Sequence, residues 1–465
     1  MEGDIATQFA LRGQQVTIIT TPSNAHFFTK SLSSVAPFFL RLHTVKFPSQ
    51  QVGLPEGIES LSSNTDSHTY GKIYAGSMLL HGPIQDFMEK DPPNCIIGDS
   101  VYPWVHDLAH KLQIPIFYFN GFSLFTISLM ESLRTNNSIH SDTDSHLDSS
   151  SYVVPNFPHC ITMSSKPPKM FTGYMEMMLE RMINGNRLII NNFAELDGEE
   201  CIEHYEKTTG LKSWHLASLI RKTVQEKAER GQESVVSLHE CLSWLNSKRE
   251  NTVLYICFGS ICHFPEKQLY EIACAIEASG HEFIWVVPEK IGKEDESDEE
   301  KEKWLPKGFE EKNFGKKGLI IRGWAPQVLI LSHPAVGGFM THCGWNSIVE
   351  AVGAGVLMIT WPAHGDQFYN EKLIPEVQSI GVEVGATEWC LSNFGERETL
   401  VTRDSIEKAV RILMDGGDEA EKMRRRAHEF GEKAREAVQE DGSSHKNLLA
   451  LIYDLKRLRD RKPFE

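Results

Sequence analysis

The chain has 465 residues, too many for one ordinary core, and its 41% hydrophobic and 24% charged residues are the balance of a globular protein. A net charge of −16 weighs against nucleic acid and anionic membranes as partners, because both are held by basic surface. Nine cysteines without metal-ligand spacing, and a beginning with no basic stretch leading into an apolar one, set the expectation of a reducing, cytoplasmic location.

A helical pattern, Gly3–Leu11, comes before any strand. Short β-rich runs then alternate with amphipathic stretches, the mark of parallel α/β sheets. Strands are predicted at Gln15–Thr20, Leu40–Phe47, Cys95–Asp99, Pro115–Asn120 and Arg187–Asn192, with helices around Tyr102–Leu112 and Tyr174–Ile183. The most apolar segment, Pro115–Met130, is broken by Asn120, Gly121 and Ser123 and is too short to span a bilayer. Asn136–Ser151, rich in Ser, Asp and His, reads as a loop, and the charged stretch Leu219–Leu238 as a linker. Further strands are predicted at Thr252–Gly259, Glu282–Val287, Gly318–Trp324, Val336–Cys343 and Val356–Trp361, and the charge run Ile291–Lys303 reads as a solvated loop. In a doubly wound sheet the first strand is normally central, so an opening helix implies either another strand order or a missing strand.

The chemistry concentrates in Trp324–Gln367. Here a strand runs through His342-Cys343-Gly344-Trp345-Asn346-Ser347 into a helix read as Ile348–Ala354. Unpaired N–H groups and the dipole at a helix start suit a phosphate, and Gly344 permits a tight turn and close backbone approach. Ser347 and Glu350 have capping-box spacing, though the Glu350 carboxylate equally matches a ribose diol. Trp324 reads as core or as a stacking platform for a base, and Asp366 and Gln367 as helix caps or as partners of sugar hydroxyls. All lie near successive strand ends, where open α/β sheets bind ligands.

This stretch resembles the signature box of plant secondary-product UDP-glycosyltransferases, matching it at WAPQ, HCGWNS, Glu350 and the closing DQ. The resemblance extends from VTIITTPSNA to SSHKNLLALIYDL and implies the α/β GT-B fold, two Rossmann-like domains facing a cleft. The implied division is an acceptor domain over 1–218, a linker over 219–248, a UDP-sugar domain over 249–442 and a returning C-terminal helix over 443–465. By the resemblance Trp324 stacks on uracil, and Ala325 and Gln327 hold its edge. Ser260, His342, Trp345, Asn346 and Ser347 contact the phosphates, Glu350 the ribose, and Asp366 with Gln367 the sugar. A closing Gln implies UDP-glucose. HTVKFPSQQVGLPEGIES, FNGFSLF, EKAERGQ and WPAHGDQFYNEKL are similar to legume triterpenoid saponin glucosyltransferases. Phe122, Phe125 and Met170–Met182 suit a large hydrophobic acceptor, or a core.

The family inverts the sugar carbon by direct displacement without a metal, and the expectation for this chain is a monomer with no cofactor beyond the donor. Its general base is a His in a Gly-His motif after the first strand, oriented by an Asp that Asp99 matches; the alternative for Asp99 is a helix N-cap. Aligned on Asp4-Ile5-Ala6, that motif falls before Met1, so the expectation is an N-terminally truncated chain without its first strand and with impaired transfer. His26 is the nearest substitute and reads as a loop residue. Leu216-Ala217 stands where relatives have Gly-Pro, Ile348 where they have Thr and Leu357 where they have Pro. A non-catalytic UDP-sugar-binding protein is the alternative, while a sugar-nucleotide dehydrogenase lacks its GxGxxG.

Overall fold

The computed structural model describes residues 2–61, 65–136, 151–164, 167–185, 187–217, 220, 238–259, 262–289, 291, 298–313, 315–390 and 399–460. The strands begin with β1 (Val16–Thr20), β2 (Leu40–Thr44), β3 (Ile96–Asp99) and β4 (Ile116–Asn120). A short antiparallel pair follows, β5 (Tyr152–Val153) and β6 (Thr162–Met163), and then β7 (Arg187–Ile190) and β8 (Lys212–His215). The second half contributes β9 (Val253–Cys257), β10 (Glu282–Val287), β11 (Gly318–Arg322), β12 (Val336–Thr341), β13 (Leu357–Thr360) and β14 (Gly381–Glu383).

Two compact units result, one of 1–124, 174–219 and 437–465, the other of 125–173 and 220–436. The second unit is built on a parallel sheet in the order β11-β10-β9-β12-β13-β14. Every residue of β9, β12 and β13 is buried, which is why these runs are apolar without alternation. The strand order reverses between β9 and β12, and a crevice opens beyond the carboxyl ends at such a point.

The first unit carries two parallel sheets, β1-β2 and β3-β4-β7-β8. The opening helix, Glu2–Ala10, packs on both: Ile5 and Phe9 join Phe117, Phe119 and Ile189, while Ala6 and Ala10 meet Ile18 and Leu40. Among the described residues no strand pairs with the second edge of β1 or of β3. The effect is visible in register: Phe117 is fully buried, whereas Ile97 beside it in β3 is 38% exposed. Among the described residues no strand joins the two sheets, and the opening helix packs on both.

The helix Ser443–Asp460 lies on β8, with Leu448, Leu451 and Ile452 against Trp214 and Leu216. Its Ser444 Oγ accepts the Ala217 N–H at 3.3 Å, a bond that proline at 217 could not make.

Three boundaries differ from the sequence reading, the smallest being 437–442, expected in the UDP-sugar domain but grouped with the first unit. Residues 125–173, expected in the first domain, group with the second unit, because buried Thr126 donates its Oγ hydrogen to Asn370 at 2.7 Å and Phe171 packs on Tyr369 and Trp389. The end of the expected linker is a helix, Leu238–Asn246, whose Cys241 and Leu245 share a buried face. The rest of the linker (219 and 221–237) lies outside the described residues, as do 137–150 of the Ser-rich loop and 292–297 of the charge run. No helix among the described residues is long and apolar enough to cross a membrane.

Candidate active site

At the reversal between β9 and β12 the chain leaves β12 through His342, Cys343 and Gly344 and enters the helix Trp345–Ala354. The left-handed residue of this turn is Cys343 (φ 64°), not Gly344, which is the N-cap at φ −61°. Gly344 is required for space, since a Cβ there would lie 2.4 Å from His342 Nε2. Gly259, just past β9, needs both freedoms: its φ is 78° and a Cβ would come within 2.8 Å of the same imidazole. The ring of His342 is thus enclosed by the backbones that end two neighbouring strands. Burial, and then His364, lower its pKa to about 3, so it is neutral. Its Nδ1 and the Oδ1 of Asn346 are buried without hydrogen-bond partners among the described residues.

The helix begins two residues before Ser347, earlier than the capping-box reading requires. Ser347 therefore sits at the third helical position and Glu350 a turn further on, and the box does not form. The first turn contains no carboxylate, and its leading N–H groups lack intrahelical acceptors. Trp345 is 2% exposed, so only its main chain is available to an anion there. Ser260, the remaining expected phosphate contact, lies outside the described residues.

The structure brings Gln327, Ser347 and Glu350 together. Gln327 Nε2 donates to Ser347 Oγ at 3.1 Å and to Glu350 Oε2 at 2.8 Å, while Tyr255 OH in β9 donates to Gln327 Oε1 at 3.4 Å. Gln327 opens the short helix Gln327–Leu331, with buried Ala325 two residues before it. Its side chain therefore fixes Glu350 rather than hanging free beside a base. Trp324, past the end of β11, is half-buried and not part of the core.

Beyond β13, Asp366 precedes the helix Gln367–Lys372 but makes no capping bond with its side chain. Enclosure raises its carboxyl to about 7, and the bond from Asn370 opposes that rise. Gln367 Oε1 accepts the N–H groups of Ala363 at 2.9 Å and His364 at 3.1 Å, so its carbonyl end holds the loop. Asn370, which sequence reasoning passed over, is fully buried. Its Nδ2 donates to Asp366 Oδ2 at 2.6 Å and to the Cys343 carbonyl at 3.1 Å, and its Oδ1 accepts from Thr126. It ties the turn that carries His342 to the loop that carries Asp366. The one signal available was its spacing of four from Asp366 on a helix.

In the first unit Asp99 ends β3, half-buried, with Oδ1 accepting the Val101 N–H at 2.9 Å. It is not a helix cap, since the next helix starts at Trp104 behind Pro103. Tyr174 stands close enough that, after burial, the Asp99 charge helps push its hydroxyl pKa up. His26, expected in a loop, is exposed within the 3-10 helix Pro22–Phe28, and its Nδ1 lies 2.7 Å from the Ser23 carbonyl. Phe125, Met175, Met178 and Met182 are core residues, while Phe122 and Met177 keep part of their surface.

The family described as UDP-glucoronosyl and UDP-glucosyl transferase matches residues 236–396. UDP-glucosyl transferase 73CC6 of Saponaria officinalis is 45% identical, over 99% of this chain and 94% of its own. UDP-glucose flavonoid 3-O-glucosyltransferase 7 of Fragaria ananassa is 43% identical, over 98% and 93%. The chain belongs to the plant UDP-glycosyltransferases. Glycyrrhiza uralensis UGT73P12, solved with glycyrrhetinic acid 3-O-monoglucuronide, superposes on this glycosyltransferase with a TM-score of 0.86 at 40% identity, covering 98% of this chain and 92% of that one. Arabidopsis thaliana UGT89C1, solved with UDP-L-rhamnose, gives 0.74 at 29% identity, covering 97% and 94%. The glycosyltransferase thus has the GT-B fold, with two Rossmann-like domains. The reversal point that holds His342 is where such a sheet receives its ligand.

Proposed function

We propose that this glycosyltransferase moves glucose from UDP-glucose to a hydroxyl or carboxyl of a small hydrophobic plant metabolite of the triterpenoid sapogenin or saponin class. The observation that carries the donor half is the cradle at β9 and β12: a carboxylate-free helix start beside a neutral, half-buried His342 whose Nδ1 is buried and unpartnered among the described residues. A diphosphate is stabilised there by N–H donors and the helix dipole, without a lysine or a metal. The N–H groups of Trp345, Asn346 and Ser347, with Ser260, serve the phosphates, Trp324 stacks on uracil beside Ala325 and Gln327, and Glu350 takes the ribose. Asp366 and Gln367 hold the glucose. As the bond from the anomeric carbon to the diphosphate breaks, charge grows on the leaving oxygen that faces these donors, and the acceptor oxygen bonds to the opposite face with inversion. The acceptor proton requires a base, and Asp99 is positioned on the family's pattern to orient an imidazole. The 465 residues supply no Gly-His motif ahead of the first helix. Expressed alone, they are expected to transfer about 10²–10⁴-fold more slowly than their relatives. The enzyme works as a monomer in the cytoplasm, where its nine free thiols stay reduced.

The test is UDP release from UDP-glucose in the presence of glycyrrhetinic acid 3-O-monoglucuronide, a flavonol or scopoletin. Slow release favouring the triterpenoid, with a β-linked product, supports the proposal. Preference for the flavonol or for scopoletin overturns the acceptor class. Donor binding with no acceptor-dependent release marks a binding protein instead, and release at relatives' rates removes the predicted impairment.

A further inference from the structure

A cavity of about 400 Å³ lies in the first unit at the starting ends of β7 and β8, the edge of the sheet opposite to Asp99. Arg187, Lys212 and Trp214 line it from the sheet. Tyr453, Asp454 and Arg457 line it from one face of the helix Ser443–Asp460, where their spacing stacks them on adjacent turns. Arg187 Nε donates to Asp454 Oδ2 at 3.0 Å, and Asp454 is the one carboxylate among the lining residues. Aromatic rings support the cations: the Lys212 ammonium sits 4.3 Å from the Trp214 ring centre and the Arg187 guanidinium 5.3 Å from that of Phe117. Two positive charges are left unbalanced by lining carboxylates, in a chain of net charge −16.

The helix dipole accounts for Arg457, a cation near a C-terminus. It does not account for Arg187 and Lys212, which are register partners on adjacent strands and so project to the same side. A ring stabilises a cation without consuming its N–H donors, which stay available to a second partner. The indole N–H of Trp214, a residue only 4% exposed, also has no acceptor among the described residues. Tyr453, 65% exposed, offers an uncovered ring beside these donors.

We propose that this cavity is a second binding site, for a small organic anion: a phosphate, sulfate or carboxylate group carried on a planar or apolar body. The anionic group meets Lys212, Arg457 and the free donors of Arg187, and the body covers Tyr453. Because its walls come from β7, β8 and the C-terminal helix, an occupant clamps that helix to the sheet and stabilises the first unit.

Phenyl phosphate serves as the probe, titrated by calorimetry into the full chain at low ionic strength with saturating UDP present to occupy the cradle. Saturable binding is expected, together with a raised melting temperature. K212Q/R457Q should weaken it at least about tenfold through loss of charge-assisted donors. D454N, which removes the competing carboxylate, should tighten it by about two- to fivefold. Both substituted cations are exposed, and an unchanged circular dichroism spectrum and ligand-free melting curve verify that the variant is folded. Absence of saturable binding with UDP bound, or equal affinity in wild type and K212Q/R457Q, overturns the site. Equal affinity for inorganic phosphate overturns the role given to the organic body.

Discussion

Asp366 and Asn370 are linked by one short hydrogen bond, and their chemistry can be separated by pH. The Asp366 carboxyl has an ordinary value of 3.8 and is raised to about 7 in the folded chain. Between these values the unfolded chain has released the proton while the folded chain retains it, so stability falls as pH rises, and the loss levels off above about 7. D366N cannot ionise and is expected to melt higher than wild type at pH 8 but not at pH 4, in paired melting curves. If the carboxylate accepts a glucose hydroxyl, the same variant loses about 10–100-fold in kcat/KM for UDP-glucose, the worth of a hydrogen bond to a charged group. Asn370 holds Asp366 down by donating to it. N370A should therefore move the pH midpoint of donor affinity upward by about half a unit to one unit. A purely structural asparagine would lower stability and leave that midpoint in place, which a pH series of KM values would reveal.

Among elements, the turn from β12 into the helix Trp345–Ala354 depends on what faces it. Gly259 and Gly13 have similar backbone angles, at φ 78° and 76°, but a Cβ at Gly259 strikes His342 while one at Gly13 meets nothing within 4 Å. Both alanine variants carry left-handed strain of about 1–3 kcal/mol, and only G259A also displaces the imidazole. G259A is expected to weaken UDP binding at least about tenfold by calorimetry, with G13A binding as wild type. A common loss in both would mean that strain alone, not the His342 contact, governs the cradle. The elements themselves were unequally legible. Apolar runs such as LMIT and VLYIC announced β13 and β9, whereas β8 reads Lys-Ser-Trp-His and was missed because its partners, not its residues, make it a strand.

At the scale of the molecule, the two-stranded sheet β1-β2 is the part with least support. Both of its strands retain partly exposed residues, whereas β9 and β12 are buried throughout inside six strands. Two strands alone are marginal, so amides of β1 and β2 should exchange with solvent well before those of β9 and β12. Equal protection in an exchange experiment would show that the opening helix holds the two sheets as one. The sequence by itself determined the α/β class, five of the six strands of the second unit's sheet (all but β14) and the stretch that forms the cradle. Apolar periodicity and glycine placement are local properties, and the 44-residue run from Trp324 to Gln367 carries them in full. Only the tertiary structure decided that Cys343 takes the left-handed turn, that Gln327 fixes Glu350, that Asn370 joins two loops and that residues 125–173 belong with the second unit. Each of these depends on a partner distant in sequence, such as Thr126 against Asn370, and a contact between distant residues leaves no period to read along the chain.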